Sequence, residues 1–189
     1  MLDNIRIETK RLRLRLFTIE DAEDYHRIVS LDEVVRNVNS TTKTLDEVRE
    51  ALLGLLDKYK INTPEQLIKF SIAIVRKETD RVIGWVGLAP MQIDPADIEI
   101  YYGLHPDYWN KGIATEAAAA LLRFGFMELK LPRIVGITMS HNKASARVLE
   151  KIGLVYRWTI HDLPEDLSYF EGCNYFSLSR NDYIQGNSR

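Results

Sequence analysis

Apolar and charged positions alternate near the start of the chain. Ile5, Ile7, Leu12, Leu14 and Leu16 lie among Arg6, Glu8, Arg11, Arg13 and Arg15. A period near two predicts a half-buried strand over residues 5–17, kinked around Thr9 and Lys10, with its arginines on the solvent or interface side. The period then lengthens. Ala22, Tyr25, Ile28 and Val29 form the stripe of a helix begun by Thr18, and Glu20 and Asp21 suit its positive end. Residues 37–43 read as a polar loop. Thr44-Leu45-Asp46-Glu47 is a capping box, and Val48, Leu52, Leu55 and Leu56 carry a helix to about Lys60, before Asn62-Thr63-Pro64 breaks the pattern. Residues 69–75 and 82–88 read as a hairpin around a polar turn, 89–97 as a loop, and 98–104 as a third strand rich in β-branched and aromatic residues. An alanine-rich helix over 115–129 is closed by Pro132. A strand over 133–139, a helix over 142–152 with Gly153 just beyond it, and late strands over 154–160 and 175–178 complete the pattern. Residues 185–189 read as a frayed end. The order β-α-α-β-β-β-α-β-α-β-β, without repeats or linkers, predicts one domain over residues 1–189. Its class is α/β (α+β), with a mixed, mostly antiparallel sheet and helices on both faces.

Composition changes this picture mainly by exclusion. Of 189 residues 46% are hydrophobic, enough for a sizeable core, and the net charge of -2 offers no basic field for nucleic acid. The most apolar window, 113–127, is interrupted by Glu116 and Arg123 and falls short of the roughly 18 apolar residues of a membrane span. The first residues carry charge where a signal peptide needs an apolar run. Cys173 is the single cysteine, which excludes an intrachain disulfide and fits a reducing compartment. The expectation is a cytoplasmic protein with neither nucleic-acid nor membrane partners.

The segment with chemical promise is Trp109-Asn110-Lys111-Gly112-Ile113-Ala114. A strand feeds a short glycine-containing turn, and a helix follows at once. Free backbone N–H groups and the helix dipole then converge on one spot, the arrangement that binds phosphate. Gly112 permits close approach, Ala114 adds little bulk, and Lys111 and Thr115 offer a charge and a hydroxyl. An ordinary strand-to-helix connection is the alternative. Neither GxxxxGK[ST] nor GxGxxG after a strand is present, which argues against a P-loop or a dinucleotide fold. His26, His105, His141 and His161 have no metal-ligand spacing with Cys173 or each other, so no metal is expected.

Three segments together resemble a known family. Residues 98–117, from Ile98-Glu99-Ile100-Tyr101-Tyr102-Gly103-Leu104 through the turn to Thr115-Glu116-Ala117, are similar to the acetyl-CoA segment of the GNAT N-acetyltransferases. Thr9-Lys10-Arg11-Leu12-Arg13-Leu14-Arg15 resembles the opening strand of the RimJ/RimL-like branch, which contains the ribosomal-protein N-terminal acetyltransferases. Asn142-Lys143-Ala144-Ser145-Ala146-Arg147-Val148-Leu149-Glu150-Lys151-Ile152-Gly153-Leu154 resembles its later helix. The matches follow the family's order over roughly residues 9–155. The turn departs from [QR]-x-x-G-x-[GA] at Trp109, a residue the branch often carries there. Asn110 replaces a common glycine, which either tightens the turn or places Asn110 at positive φ.

The resemblance implies two central strands splayed beside the turn, with acetyl-CoA as cosubstrate. Its pyrophosphate would lie on Trp109, Asn110, Lys111, Gly112, Ile113, Ala114 and Thr115. Its pantetheine arm would lie against the backbone of Tyr102 and Leu104 and against Asn142. An amine attacks the thioester directly, with Glu99 as the implied base and Ser145 as the implied acid for the departing thiolate. The tyrosine that many members use as acid corresponds to Leu149, which cannot donate a proton; Tyr101 and Tyr102 are the substitutes. The implied acceptor is a protein N-terminal α-amine. A small amine (antibiotic, polyamine or amino acid) and a non-catalytic acyl-CoA-binding module are the alternatives. A homodimer is also implied.

Overall fold

The structure, a computed structural model, describes residues 2, 4–38 and 40–186. The expected opening strand is in fact a hairpin. β1 (Arg6–Glu8) turns at residues 9–11 and returns antiparallel as β2 (Leu12–Arg15). The turn forms where Thr9 bonds Leu12 through both its backbone and its hydroxyl, so the kink predicted from a broken alternation is a reversal. The next segment enters through a turn of 3₁₀ helix at Ile19–Asp21 before α1 (Ala22–Val29). A short α2 (Asp32–Val35) follows, unannounced by the pattern, within the segment preceding the expected loop. Both halves of the capping box form at the head of α3 (Leu45–Ile61), where Thr44 and Glu47 bond reciprocally.

β3 (Phe70–Arg76), β4 (Arg81–Pro90) and β5 (Ile98–Leu104) form an antiparallel meander. α4 (Ile113–Met127) leads to β6 (Arg133–Met139), α5 (Lys143–Lys151), β7 (Val155–Thr159) and β8 (Cys173–Ser179). The last element, α6 (Arg180–Gly186), takes in residues 185 and 186, expected to be frayed; residues 187–189 lie outside the described residues. The eight-stranded sheet has the order β1-β2-β3-β4-β5-β6-β8-β7 and is antiparallel except for β5 and β6. Helices cover both faces. Tyr25 of α1 meets Trp85 of β4 on one face, and Phe124 of α4 stacks on Phe70 of β3 on the other.

The parallel pair is the functional feature of the sheet. β5 and β6 are in register only at Ile98–Ile134 and Glu99–Val135, after which they diverge. Asp97, just before β5, closes the narrow end. Its buried carboxylate accepts the Arg133 guanidinium at 2.7 Å from the start of β6 and the Tyr175 hydroxyl at 2.6 Å from β8. The arginines of this first segment, expected on its solvent or interface side, make contacts within the chain: Arg15 grips buried Asp21 through two bonds, and Arg11 reaches Glu116 on α4.

Asp97→Ala should lower the unfolding free energy by about 2 kcal/mol, because Tyr175 and Arg133 lose their acceptor. Urea denaturation measures this; an unchanged midpoint would remove Asp97 from its role at the closed end of the gap.

Candidate active site

A cleft of about 590 Å³ opens on the α4 side of the parted strands. Tyr102 and Leu104 line one wall. Trp109, Asn110, Gly112, Ile113, Ala114 and Thr115 form its end, and Asn142, Ser145 and Val148 of the α5 region form the facing wall. Val34 of α2, with Asn37 and Val38 just after it, adds a rim that the sequence did not suggest.

The turn is built for close approach. Asn110 has φ 58° and Gly112 φ 70°, so two successive left-handed kinks reverse the chain ahead of α4. Asparagine tolerates that region, and glycine adopts it freely. Gly112 is the N-cap and has no side chain with which to satisfy the first helical N–H groups. The N–H groups of Ile113, Ala114 and Thr115 therefore remain available at the positive end of a 15-residue helix. Trp109 has its own work here: its indole N–H donates to the Leu104 carbonyl at 2.9 Å and ties the turn back to β5. Lys111 departs from the others. Its side chain belongs to a separate groove with Arg11, Arg76 and Tyr108, and its carbonyl accepts from Arg11 at 2.8 Å.

The strand wall presents free backbone. The His105 N–H bonds the Ile83 carbonyl, so Gly103 and Tyr101 face β4 by the alternation of an antiparallel ladder. Tyr102 and Leu104 then direct their backbone groups into the gap that β6 has left. One of these, the Leu104 carbonyl, is engaged by Trp109; those of Tyr102 are placed for an extended ligand.

On the facing wall, Asn142 caps α5 by accepting the Ser145 N–H at 3.1 Å, which leaves its side-chain NH₂ to donate. Ser145 is joined to Tyr102 by a contact that sequence spacing gave no means of pairing. The Tyr102 hydroxyl lies 3.0 Å from Ser145 Oγ and donates to the Ser145 carbonyl at 3.1 Å. Burial pushes the Tyr102 phenol up to about 12, against a smaller opposite effect from Ser145. Leu149 is buried and packs on Gly136, where a side chain would collide with it. Tyr101 turns to the opposite face of β5, away from the cleft.

Glu99 is not brought into the cleft with Ser145. It stands at the closed end of the gap, on the face of β5 that also carries Tyr101, in register with Val135. Burial pushes its carboxyl up to about 7, and the Ile137 N–H, reaching from the diverging strand, works the other way. The buried Cys173 of β8 feels this group: its thiol is pushed up by burial and by the Glu99 charge. His105 is occupied in the strand-to-turn connection, its Nδ1 accepting the Asp107 N–H, and His141 is exposed. Among the described residues no group of three or more His, Cys, Asp or Glu side chains could hold a metal ion, and no helix is long and apolar enough to cross a membrane.

Parted strands with free backbone and an anion-ready turn at their wide end form a cleft suited to a long ligand that carries a phosphate. Residues 11–155 match the Acetyltransferase (GNAT) domain family. The uncharacterized N-acetyltransferase p20 of Bacillus licheniformis is 30% identical over 176 residues, covering 93% of this chain and 96% of that protein. The structure of a GNAT-family acetyltransferase from Bacillus anthracis superposes with a TM-score of 0.77 at 24% identity, covering 94% of this chain and 99% of the other. The ribosomal-protein-S5-alanine acetyltransferase of Vibrio fischeri superposes with a TM-score of 0.67 at 20% identity, covering 95% and 99%. The chain belongs to the GNAT family and is an acetyl-CoA-dependent N-acetyltransferase.

Because the folded proton affinity of Glu99 exceeds its ordinary value of 4.5, the native state holds the proton more tightly than the unfolded chain. The stability this contributes is full below about pH 4.5 and is lost as the pH rises through about 7. Wild-type stability measured relative to Glu99→Gln should therefore fall across that window; a constant difference from pH 4 to 8 would show that Glu99 titrates normally.

Proposed function

We propose that this enzyme acetylates a protein N-terminal α-amine, with Glu99 as the base and Ser145 as the acid, in keeping with a place in the RimJ/RimL-like branch. The observation that carries the reading is the placement of Glu99: a half-buried carboxyl at the gap, on the opposite face of β5 from the Ser145 wall. The acceptor then approaches from the α1 face and the carrier from the α4 face. They meet through an opening that no strand fills.

The residues fit acetyl-CoA, which supplies an activated acetyl thioester. The N–H groups from Ile113 to Thr115 hold the pyrophosphate, with the Trp109, Asn110 and Gly112 turn shaping their approach and Lys111 adding charge nearby. The backbone of Tyr102, the N–H of Leu104 (whose carbonyl Trp109 engages) and the side chain of Asn142 hold the pantetheine arm. Glu99 takes the proton lost by the attacking amine, directly or through water. An α-amine of pKa about 7.7–8.0 is well matched to a base near 7, whereas a lysine near 10.4 is not. Ser145 passes a proton to the departing sulfur and takes one back from solvent in the same step, and the Tyr102 hydroxyl, 3.0 Å from Ser145 Oγ, orients the serine. The Vibrio fischeri neighbour is named for a ribosomal-protein alanine, which agrees with this acceptor class.

Thiol release from acetyl-CoA should be fastest with N-terminal peptides in a panel that also contains aminoglycosides, polyamines and free amino acids. Preference for a small amine would replace the acceptor assignment. Glu99→Gln should lower kcat about 100-fold while acetyl-CoA affinity stays within about twofold, and the rise in kcat through pH 7 should disappear. Ser145→Ala should also lower kcat. Normal turnover in both variants would refute these roles.

A further inference from the structure

We propose that Arg11, which lies outside the cleft, is the positioning residue that sets the pyrophosphate turn and neutralises a carboxylate at its back. The inference rests on the turn binding the pyrophosphate of acetyl-CoA.

Glu116 presents a problem for an anion site. It belongs to the first turn of α4, the helix whose N-terminus would hold the pyrophosphate, and a carboxylate there opposes a second anion. The β1–β2 reversal answers it with three donors. Thr9 Oγ1 donates to Glu116 Oε1 at 2.6 Å, the Arg11 N–H to the same oxygen at 2.8 Å, and Arg11 Nε to Oε2 at 2.6 Å. Burial alone would raise the Glu116 carboxyl; these bonds prevail and hold it below the ordinary carboxylate range. The pair is partly shielded from water, with side-chain exposures of 35% for Arg11 and 18% for Glu116, so it is screened less than a surface pair.

The same guanidinium also grips the turn. Arg11 Nη1 donates to the Lys111 carbonyl at 2.8 Å, and Nη2 lies 3.6 Å from where a side chain on Gly112 would begin. One planar group thus links the two residues flanking the anion site, Lys111 and Glu116, as the rigid fork of arginine allows. The reversal is itself anchored to the sheet, since Lys77 donates to Thr9 through its Nζ at 2.6 Å and to Arg11 through its N–H at 3.1 Å. The turn therefore rests on β2 and β3, and its two positive φ values are supported from behind rather than by the ligand alone.

The test compares two acetyl donors: acetyl-CoA, and S-acetyl-pantetheine, which lacks the pyrophosphate. Arg11→Ala should raise KM and Kd for acetyl-CoA about tenfold, the scale of one charge-assisted bond, with kcat little changed. It should leave kcat/KM for S-acetyl-pantetheine within about twofold of wild type. Arg11→Lys keeps the charge but reaches one partner at a time, so its loss should be intermediate; it carries the test if Arg11→Ala does not fold. Arg11→Ala/Glu116→Gln should bind acetyl-CoA more tightly than Arg11→Ala, because the uncompensated carboxylate is gone. Equal loss with both donors, or unchanged acetyl-CoA affinity in both Arg11 variants, would overturn the role of Arg11. A wild-type enzyme that binds both donors equally well would instead overturn the placement of the pyrophosphate on this turn.

Discussion

The site depends on one constraint: a parallel strand pair that is hydrogen-bonded at one end only. Backbone N–H and C=O groups are costly to leave unpaired in a protein interior, so a sheet opens only where something else can satisfy the edges. Here β5 and β6 share two residue pairs and then separate, while Asp97, Arg133 and Tyr175 secure the closed end. Beyond that point the gap supplies some of its own partners, Trp109 for the Leu104 carbonyl of β5 and Glu99 for the Ile137 N–H of β6, and leaves the backbone of Tyr102 facing the cleft. In the proposed reaction, donor and acceptor reach this gap from opposite faces of the sheet.

A second requirement follows at the wide end. The strand must hand over to a helix whose N-terminus points back at the gap. Two left-handed residues and a side-chain-free N-cap meet it, at some conformational cost that the ties from Trp109 and Arg11 offset. The machinery is accordingly wider than the residues facing the cleft. An N-terminal hairpin far away in sequence braces the turn, and a strand tyrosine hydrogen-bonds a helix serine.

Much of this was legible in the chain. The bounds of β5 emerged from its β-branched and aromatic content, the head of α3 from a four-residue capping box, and the turn from a glycine between a strand and a helix. These signals are local, spanning a few residues whose backbone preferences and periodicity agree. The β1–β2 reversal was hidden because alternation continues on both sides of it, and α2 is too short to show a helical period. The pairing of Tyr102 with Ser145 joins residues 43 apart and that of Arg11 with Glu116 residues 105 apart, so no spacing rule could match them. The first strand's arginines were legible only as a solvent or interface side, since a charge in a sequence does not disclose which distant partner it will meet.

The sequence by itself determined the elements from α3 to β8, the glycine turn between β5 and α4, and the family to which they belong, because propensity, capping and backbone freedom act over a few residues. Tertiary structure alone decided that Glu99 and Ser145 stand on opposite sides of the gap, that Leu149 is sealed in the core against Gly136, and that Arg11 lies behind the turn. Those outcomes depend on strand register and on which faces pack together. A shift of one residue in β5 would exchange the faces of Glu99 and Tyr102, and only the paired sheet fixes that choice.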